Sequence, residues 1–109
     1  MKVRTIEPVG YLEMVNLLKR CRAVLTDSGG LQKEAFFFAK PCVTMRDQTE
    51  WIELIEAGAN ILMGADAEAI FDAAKDSLSK KVSDPNQLYG GGDASKKIVT
   101  VLEQFGVAW

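Results

Sequence analysis

The segment Asp27–Glu34 constrains the fold most, because a strand-like run precedes it and a helix-like run follows it directly. Residues 23–26 are Ala-Val-Leu-Thr, an apolar run typical of a buried strand. A Ser-Gly-Gly turn then leads into a helix that we predict over residues 31–39. The first N–H groups of a helix lack an intrahelical partner, and the helix dipole adds partial positive charge there. The order of strand, Gly-rich turn and helix therefore predicts a site for an anion.

Four residues of this segment suit a phosphorylated ligand that also carries a sugar. Gly29 and Gly30 have no Cβ and let a ligand approach the backbone, and Ser28 adds a hydroxyl donor. Glu34 lies four residues after Gly30, one helical turn further along a similar face. A carboxylate there would repel a phosphate but can accept hydrogen bonds from neutral hydroxyls. We therefore expect a diphosphate at the turn and a ribose diol at Glu34.

A purely structural interpretation explains the same residues. Asp27 or Ser28 can cap the helix after a tight turn, with Glu34 on a face exposed to solvent. Short Gly-rich turns before helices are common and weakly specific, so the segment alone leaves both interpretations open.

Composition narrows the class of protein. A length of 109 residues allows one domain, so we treat 1–109 as a single α/β domain. The 13 Lys and Arg and the 15 Asp and Glu give a net charge of −2, which favours neither nucleic acid nor an anionic membrane as partner. No apolar run reaches the roughly 18 residues of a membrane span. We expect a cytoplasmic protein whose two cysteines, Cys21 and Cys42, are buried thiols rather than a disulfide.

The absence of histidine limits the chemistry further. With no His in the sequence, neither a His-based metal site nor a His general base can come from this chain. We expect no metal and no cofactor.

Strand-like and helix-like segments alternate along the rest of the chain. Short runs of apolar residues predict strands over 3–6, 23–26, 41–45 and 60–63. Helical spacing predicts helices over 11–20, 31–39, 50–57, 66–78 and 93–105, with a Gly-rich loop over 83–92. The candidate caps of the last three helices are Asp47 or Thr49, then Asp66, then Asp93. Such alternation implies parallel strands and an open α/β sheet. Ligands bind beyond the carboxyl ends of the strands, where the turn 27–30 and the loop 46–50 should share one rim.

Two features indicate that the domain is not self-sufficient. Phe36–Phe38 are three consecutive rings spread over about 200° of a helix, more than one core-facing stripe covers. One ring is a candidate for contact with a partner, although a lone exposed apolar residue is also ordinary. The last predicted helix follows a Gly-rich loop and has no strand after it, so we expect it to pack away from the sheet.

Five motifs in this order resemble the non-hydrolysing UDP-N-acetylglucosamine 2-epimerases. They are Asp27-Ser-Gly-Gly-Leu-Gln-Lys-Glu34, Lys40-Pro41, Met45-Arg-Asp-Gln-Thr-Glu50, Glu56-Ala-Gly58 and Leu88-Tyr-Gly-Gly-Gly-Asp-Ala-Ser95. The resemblance runs from about Val3 to Phe105 and implies part of a two-domain fold similar to the GT-B glycosyltransferases. In that family the substrate lies between two Rossmann-like halves, and this chain is similar to the end portion of the C-terminal half.

The resemblance implies roles for residues that the turn had already singled out. Ser28, Gly29 and Gly30 match the residues that hold the diphosphate, and Glu34 matches the glutamate that holds the ribose. Met14 matches a position near the uracil, although a core methionine on an amphipathic helix explains it equally well.

One departure from the family bears on the sugar. Many members have Thr-Glu-Arg-Pro-Glu where this chain has Thr49-Glu-Trp-Ile-Glu53, so Trp51 replaces an arginine that can serve the ligand. This form is similar to a branch that acts on other UDP-linked N-acetylated sugars. Trp51 is a candidate for stacking on the ligand or for packing in the core.

The family reaction inverts C2 of the sugar by eliminating UDP and adding it back on the other face, in polysaccharide biosynthesis. Its catalytic carboxylates and histidine lie upstream of anything that matches Val3, so we assign no catalytic residue here. We expect the UDP-sugar-binding part of such an epimerase, inactive alone, with a missing N-terminal half or a second copy as partner. The alternatives are a stand-alone UDP-sugar-binding module and a non-functional fragment that self-associates through exposed aromatic rings.

Overall fold

Short helices and strands alternate in the computed structural model of the chain, which describes residues 3–84 and 87–106. In chain order they are α1 (Tyr11–Arg20), β1 (Val24–Thr26), α2 (Gly29–Phe37), β2 (Cys42–Thr44), α3 (Ile52–Glu56), β3 (Asn60–Leu62), α4 (Ala67–Ser77), one 3₁₀ turn (Gly90–Gly92) and α5 (Ala94–Gln104). The predicted loop 83–92 contains that 3₁₀ turn, and its residues 85 and 86 lie outside the described ranges.

The three strands form one parallel sheet in the order β1-β2-β3. Val24 pairs with Cys42, and Cys42 pairs in turn with Asn60. All strands run the same way, so their carboxyl ends at Thr26, Thr44 and Leu62 line one edge of the sheet. The predicted α/β class with parallel strands is confirmed.

The predicted strand over 3–6 is wrong. These residues have no regular structure, and Val3 and Ile6 are 81% and 54% exposed. A strand needs a neighbour for its N–H and C=O groups. Within the described ranges β1 pairs only with β2.

Side-chain caps begin α2 and α4. Ser28 is the N-cap of α2, so this helix begins at Gly29, two residues before the predicted start. Asp66 caps α4 as predicted, since its carboxylate accepts a 3.0 Å hydrogen bond from the Ala69 N–H. Neither Asp47 nor Thr49 caps α3, whose N-cap is Trp51.

Two apolar clusters, each of which includes a residue of α2, determine where the three phenylalanines lie. One cluster contains Leu18, Val24, Ala35 and Cys42, and the other contains Phe36, Leu54 and Ala59. Phe36 is buried in the second cluster, and Phe38 packs against the first. Phe37 is 59% exposed, so the prediction that one ring lies outside the core is confirmed.

The last helix extends away from the sheet, as predicted. The principal contact of α5 is with the 3₁₀ turn Gly90–Gly92, and its residues are exposed except for the half-buried Leu102. The described residues have a radius of gyration of 16.6 Å. A compact chain of this length would have about 13 Å. The apolar face of α5, which includes Ile98 and Val101, is therefore left without a cover in the described part of the chain.

Both cysteines are free, as expected. Cys42 is buried, and burial raises the pKa of its thiol, whereas Cys21 is only half-buried, so the expectation of two buried thiols holds for Cys42 alone. Within residues 3–84 and 87–106, no helix combines the length and apolar character needed to cross a membrane. The same ranges contain no group of three or more His, Cys, Asp or Glu side chains able to hold a metal ion.

Tyr89 connects the Gly-rich segment to the rest of the domain. Its ring packs edge-on against Phe36, Phe37 and Trp51, with centroids 5.8 to 6.2 Å apart. Its hydroxyl donates a hydrogen bond to the Glu53 carboxylate. Burial, together with this contact, raises the pKa of Tyr89, and the same hydrogen bond lowers the pKa of Glu53.

Replacing Tyr89 with phenylalanine is expected to lower the melting temperature at neutral pH by a few degrees, because Glu53 loses its donor. The folded-state pKa of Glu53 is lowered, so the stabilisation is present above the unfolded value of about 4.3. It is lost as the pH falls through the folded-state value. Melting curves of Tyr89→Phe and the parent chain should therefore converge in acid. Tyr11→Phe, at an exposed position of α1, is the control without effect, and a Tyr89→Phe deficit independent of pH would contradict this account.

Candidate functional site

The Ser-Gly-Gly turn lies between the carboxyl end of β1 and the start of α2. The Ser28 N–H donates to Thr26 Oγ1 at 2.9 Å, and Ser28 Oγ accepts from the Leu31 N–H at 3.5 Å. The Ser28 N–H is therefore satisfied inside the protein and is not a free donor. The hydroxyl proton of Ser28 remains able to donate, since Oγ acts as the acceptor toward Leu31.

The two glycines supply the free backbone donors of the turn. Among the hydrogen bonds of the described residues, the N–H groups of Gly29 and Gly30 are not donated to any acceptor. A Cβ built on Gly30 would have no heavy atom within 4 Å, so this residue faces open space. A Cβ on Gly29 would overlap Glu50 Oε1, so the Glu50 carboxylate approaches the Gly29 backbone closely.

The other two predicted ligand residues are Glu34 and Met14. Glu34 lies on α2, the helix that the turn begins, and Met14 packs against the core. Glu34 is half-buried on α2, and the neighbouring Lys33 has its ammonium 4.6 Å and 4.4 Å from the ring centroids of Trp51 and Tyr89. Met14 lies on α1 and packs against the first apolar cluster, as a core methionine does. The contact of Met14 with uracil stays a prediction, and so does that of Glu34 with ribose.

The loop after β2 meets the turn on the same rim, as the positions of the strand ends predicted. Arg46 and Glu50 form an ion pair of 3.3 Å next to Gly29. The hydrogen bond from Arg46 lowers the pKa of Glu50. The indole N–H of Trp51 donates to the Gly29 carbonyl oxygen at 2.8 Å. Trp51 is partly buried against the second apolar cluster, which agrees with the prediction of core packing. It also supports the turn, a role that neither sequence interpretation included.

Sequence reasoning also missed Gln32. This side chain has no exposed surface and hydrogen-bonds to Ser28, Thr49 and Asn60. The sequence carries no signal that singles it out, because the two residues after it, Lys33 and Glu34, are polar as well.

The chemistry available at this rim is that of anion binding. Two N–H groups that have no acceptor among the described residues begin a nine-residue helix, whose dipole places partial positive charge at them. Arg46 lies beside them, but its charge is offset by Glu50 while the ion pair is intact. General acid–base work calls for a group whose pKa lies near neutrality. The Glu50 carboxylate is unsuited to it, because its ion pair with Arg46 moves the pKa further down. The fold defines the class as part of a Rossmann-like α/β protein, and the geometry of its turn suits an anion.

The chain belongs to the UDP-N-acetylglucosamine 2-epimerase family, whose model matches residues 1–103. It is 61% identical over 102 residues to the UDP-2,3-diacetamido-2,3-dideoxy-D-glucuronate 2-epimerase of Pseudomonas aeruginosa, covering 94% of this chain and 29% of that protein. It is 46% identical over 101 residues to the UDP-N-acetylglucosamine 2-epimerase of Methanocaldococcus jannaschii, covering 93% and 27%. The chain thus spans less than a third of the length of these curated relatives.

Solved structures agree with this assignment. The Methanocaldococcus jannaschii UDP-GlcNAc 2-epimerase in complex with UDP-GlcNAc and UDP matches with a TM-score of 0.77 and 44% identity, over 91% of this chain and 27% of that one. The Neisseria meningitidis enzyme bound to UDP-GlcNAc matches with a TM-score of 0.74 and 34% identity, over 91% and 28%. The predicted fold class, a Rossmann-like sheet resembling part of the C-terminal half of a GT-B-type fold, is confirmed.

Proposed function

We propose that this chain is the UDP-sugar-binding part of an epimerase that inverts C2 of a UDP-N-acetylhexosamine by elimination and re-addition of UDP. One observation carries the proposal: the free N–H groups of Gly29 and Gly30 open α2 directly after a parallel strand. Membership of the family supports an epimerase-like part, and two of the solved relatives are complexes with UDP-GlcNAc.

The proposed binding mode follows from the groups around the turn. The diphosphate accepts hydrogen bonds from Gly29 and Gly30 and from the Ser28 hydroxyl, while Glu34 accepts from the ribose hydroxyls. For a phosphate to reach the Gly29 backbone, the exposed Glu50 side chain must swing aside, which frees Arg46 from its partner. The cost of this movement is small, because an ion pair at the surface contributes little.

The same donors would assist the reaction. Breaking the bond between C1 of the sugar and the diphosphate places negative charge on the departing UDP. Fixed N–H donors at a helix start stabilise charge as it develops, without needing to reorganise. A single helix-end charge interaction contributes about 0.3–1 kcal/mol when exposed and up to ~2 when partly buried. The turn therefore serves the leaving group rather than the proton transfer at C2.

Proton transfer at C2 is proposed to need residues outside this chain. The chain has no histidine, and the family motifs place the carboxylates and the histidine of the chemistry upstream of Val3. Uncovered apolar side chains such as Leu12, Phe71 and Phe105 support a partner that covers them. We infer that this partner is the other half of the epimerase or a second copy, and that the chain alone is inactive.

The sugar is proposed from the relatives. Of the two relatives compared above, the more similar one is named for UDP-2,3-diacetamido-2,3-dideoxy-D-glucuronate. The replacement of an arginine by Trp51 in the loop agrees with a sugar other than UDP-GlcNAc. A UDP-linked diacetamido uronic acid is therefore the substrate class that we favour.

Calorimetric titration of the 109-residue chain with UDP tests the proposal. We expect measurable heat and a rise in melting temperature, since a ligand that binds only the folded state stabilises it. No heat and no thermal shift at millimolar UDP would contradict it and favour a non-functional fragment.

If UDP binds, the DNA immediately upstream distinguishes the remaining interpretations. A Rossmann-like half encoded in frame or adjacent supports a divided enzyme. An unrelated neighbour with its own start site would overturn that part of the proposal and favour a stand-alone UDP-sugar-binding module.

A further inference from the structure

We propose that Gln32 and Trp51 are positioning residues that aim the two free N–H groups of the turn at the diphosphate. The inference rests on the proposed function of the turn and extends it to side chains behind the turn. Gln32 has no exposed surface and cannot touch a ligand, so any effect it has on binding must act through another residue.

A peptide unit is planar, so its carbonyl oxygen and the following N–H point in fixed, opposite directions. The carbonyl of Ser28 shares its unit with the N–H of Gly29, and the carbonyl of Gly29 shares its unit with the N–H of Gly30. Whatever holds these two carbonyls therefore sets the direction of the two donors.

Each carbonyl accepts a hydrogen bond from one side chain, and the Gly29 carbonyl also takes part in the backbone hydrogen bonding of α2. Gln32 Nε2 donates to the Ser28 carbonyl oxygen at 3.2 Å, and Trp51 Nε1 donates to the Gly29 carbonyl oxygen at 2.8 Å. Glycine has the widest backbone freedom of any residue, so a turn with two glycines needs such restraints to keep one geometry. Gln32 thus orients the Gly29 N–H, and Trp51 orients the Gly30 N–H.

The Gln32 amide is itself fixed from the sheet. Its Oε1 accepts from Asn60 Nδ2 at 2.9 Å and from Thr49 Oγ1 at 2.6 Å, which leaves Nε2 to face Ser28. Asn60 on β3 in turn accepts from Thr44 Oγ1 on β2 at 2.6 Å. Asn60 and Thr44 are 2% and 0% exposed, so the chain of hydrogen bonds is shielded from water.

Thr49 joins the two positioning residues. Its hydroxyl donates to Gln32 and accepts from the Trp51 backbone N–H at 3.1 Å. The turn and the loop 46–50 are therefore coupled through a single hydroxyl. Removing the Thr49 hydroxyl should disturb the N–H groups of both Gly29 and Gly30. Removing Gln32 or Trp51 alone should disturb mainly the N–H group that this side chain orients.

The test uses the full 109-residue chain with UDP and uridine as probes and two-dimensional NMR as the readout. In the free protein, Trp51→Phe should shift the amide resonance of Gly30 more than that of Gly29. Gln32→Met should show the opposite preference. Each variant should bind UDP about tenfold more weakly, with uridine affinity unchanged. Because Trp51→Phe also changes the ring current near the turn, the decisive readout is the ratio of UDP to uridine affinity, which a residue that contributes only stability would not move.

Two further variants keep the test decisive. Thr49→Val removes the shared hydroxyl at a half-buried position and replaces Gln32→Met if that protein does not fold. Ser77→Ala is the matched control, because it deletes a buried hydrogen bond, to the Ala73 carbonyl at 2.8 Å, on α4. It should lower the melting temperature and leave UDP binding unchanged.

The outcomes separate this inference from the proposed function. If the parent chain does not bind UDP, both fail. A second outcome is that the parent chain binds UDP, and that the Trp51→Phe variant and the Gln32 or Thr49 variant bind UDP as tightly as the parent. In that case only the positioning roles are overturned.

Discussion

Gly30→Ala is expected to raise the melting temperature of the chain and to weaken UDP binding about tenfold or more. Alanine is preferred over glycine inside a helix by up to about 1 kcal/mol, and Gly30 lies in the first turn of α2. The added methyl group meets no protein atom within 4 Å, so it costs nothing in the fold. It does occupy the open space from which a phosphate would approach the Gly30 N–H. Thermal melting and calorimetry on the same sample measure the two opposite effects.

Gly10→Ala is the matched control for this substitution. A Cβ built on Gly10 also has no heavy atom within 4 Å, and Gly10 is the N-cap of α1, outside the turn. It should leave UDP affinity unchanged. A Gly30→Ala chain that binds UDP as tightly as the parent would show that the diphosphate does not approach this residue.

Glu34→Ala is expected to weaken UDP binding roughly tenfold to a hundredfold, because hydrogen bonds to a charged group contribute about 1.5–3 kcal/mol. Glu34 is half-buried on α2, one helical turn beyond the glycines that would hold the diphosphate. The loss should be specific to the ribose hydroxyls. Uridine diphosphate and its 2′,3′-dideoxy analogue, titrated into both proteins, should differ in affinity for the parent chain and not for Glu34→Ala.

Glu68→Ala removes an exposed carboxylate from the first turn of α4 and serves as the control of equal charge. Its affinity for UDP should equal that of the parent. Equal affinity of Glu34→Ala and the parent would refute the ribose assignment without affecting the role of the turn.

Local patterns were sufficient to predict most of the fold. The bounds of α1 were predicted exactly as observed, since apolar residues recur at helical spacing and basic residues close its last turn. Asp66 was recognised as a cap because an aspartate before an apolar helical run has few other roles. The strand predicted over 3–6 is absent because its formation does not depend on local pattern alone. Its composition suits a strand, but strand formation depends on a partner that local sequence does not specify.

For the candidate site as well, the residues with a local sequence signal were predicted, and those that depend on distant contacts were not. Ser28 and the two glycines were found because their signal is contiguous in the sequence. The side chains that hold the turn, Gln32 and Trp51, were not found from the sequence. Gln32 contacts partners 17 and 28 residues away, and Trp51 contacts the Gly29 carbonyl from 22 residues away. Only the packing of α2 on the parallel sheet brings these groups together.

The central claim is that two unpaired backbone N–H groups at the start of α2 bind the diphosphate of a nucleotide sugar. It is tested most directly by following the backbone amide resonances of the chain while UDP is added. The account predicts that Gly29 and Gly30 show the largest shifts and that Glu68 on α4 shows none. Saturation with UDP that leaves both glycine amides unmoved while other residues shift would contradict it.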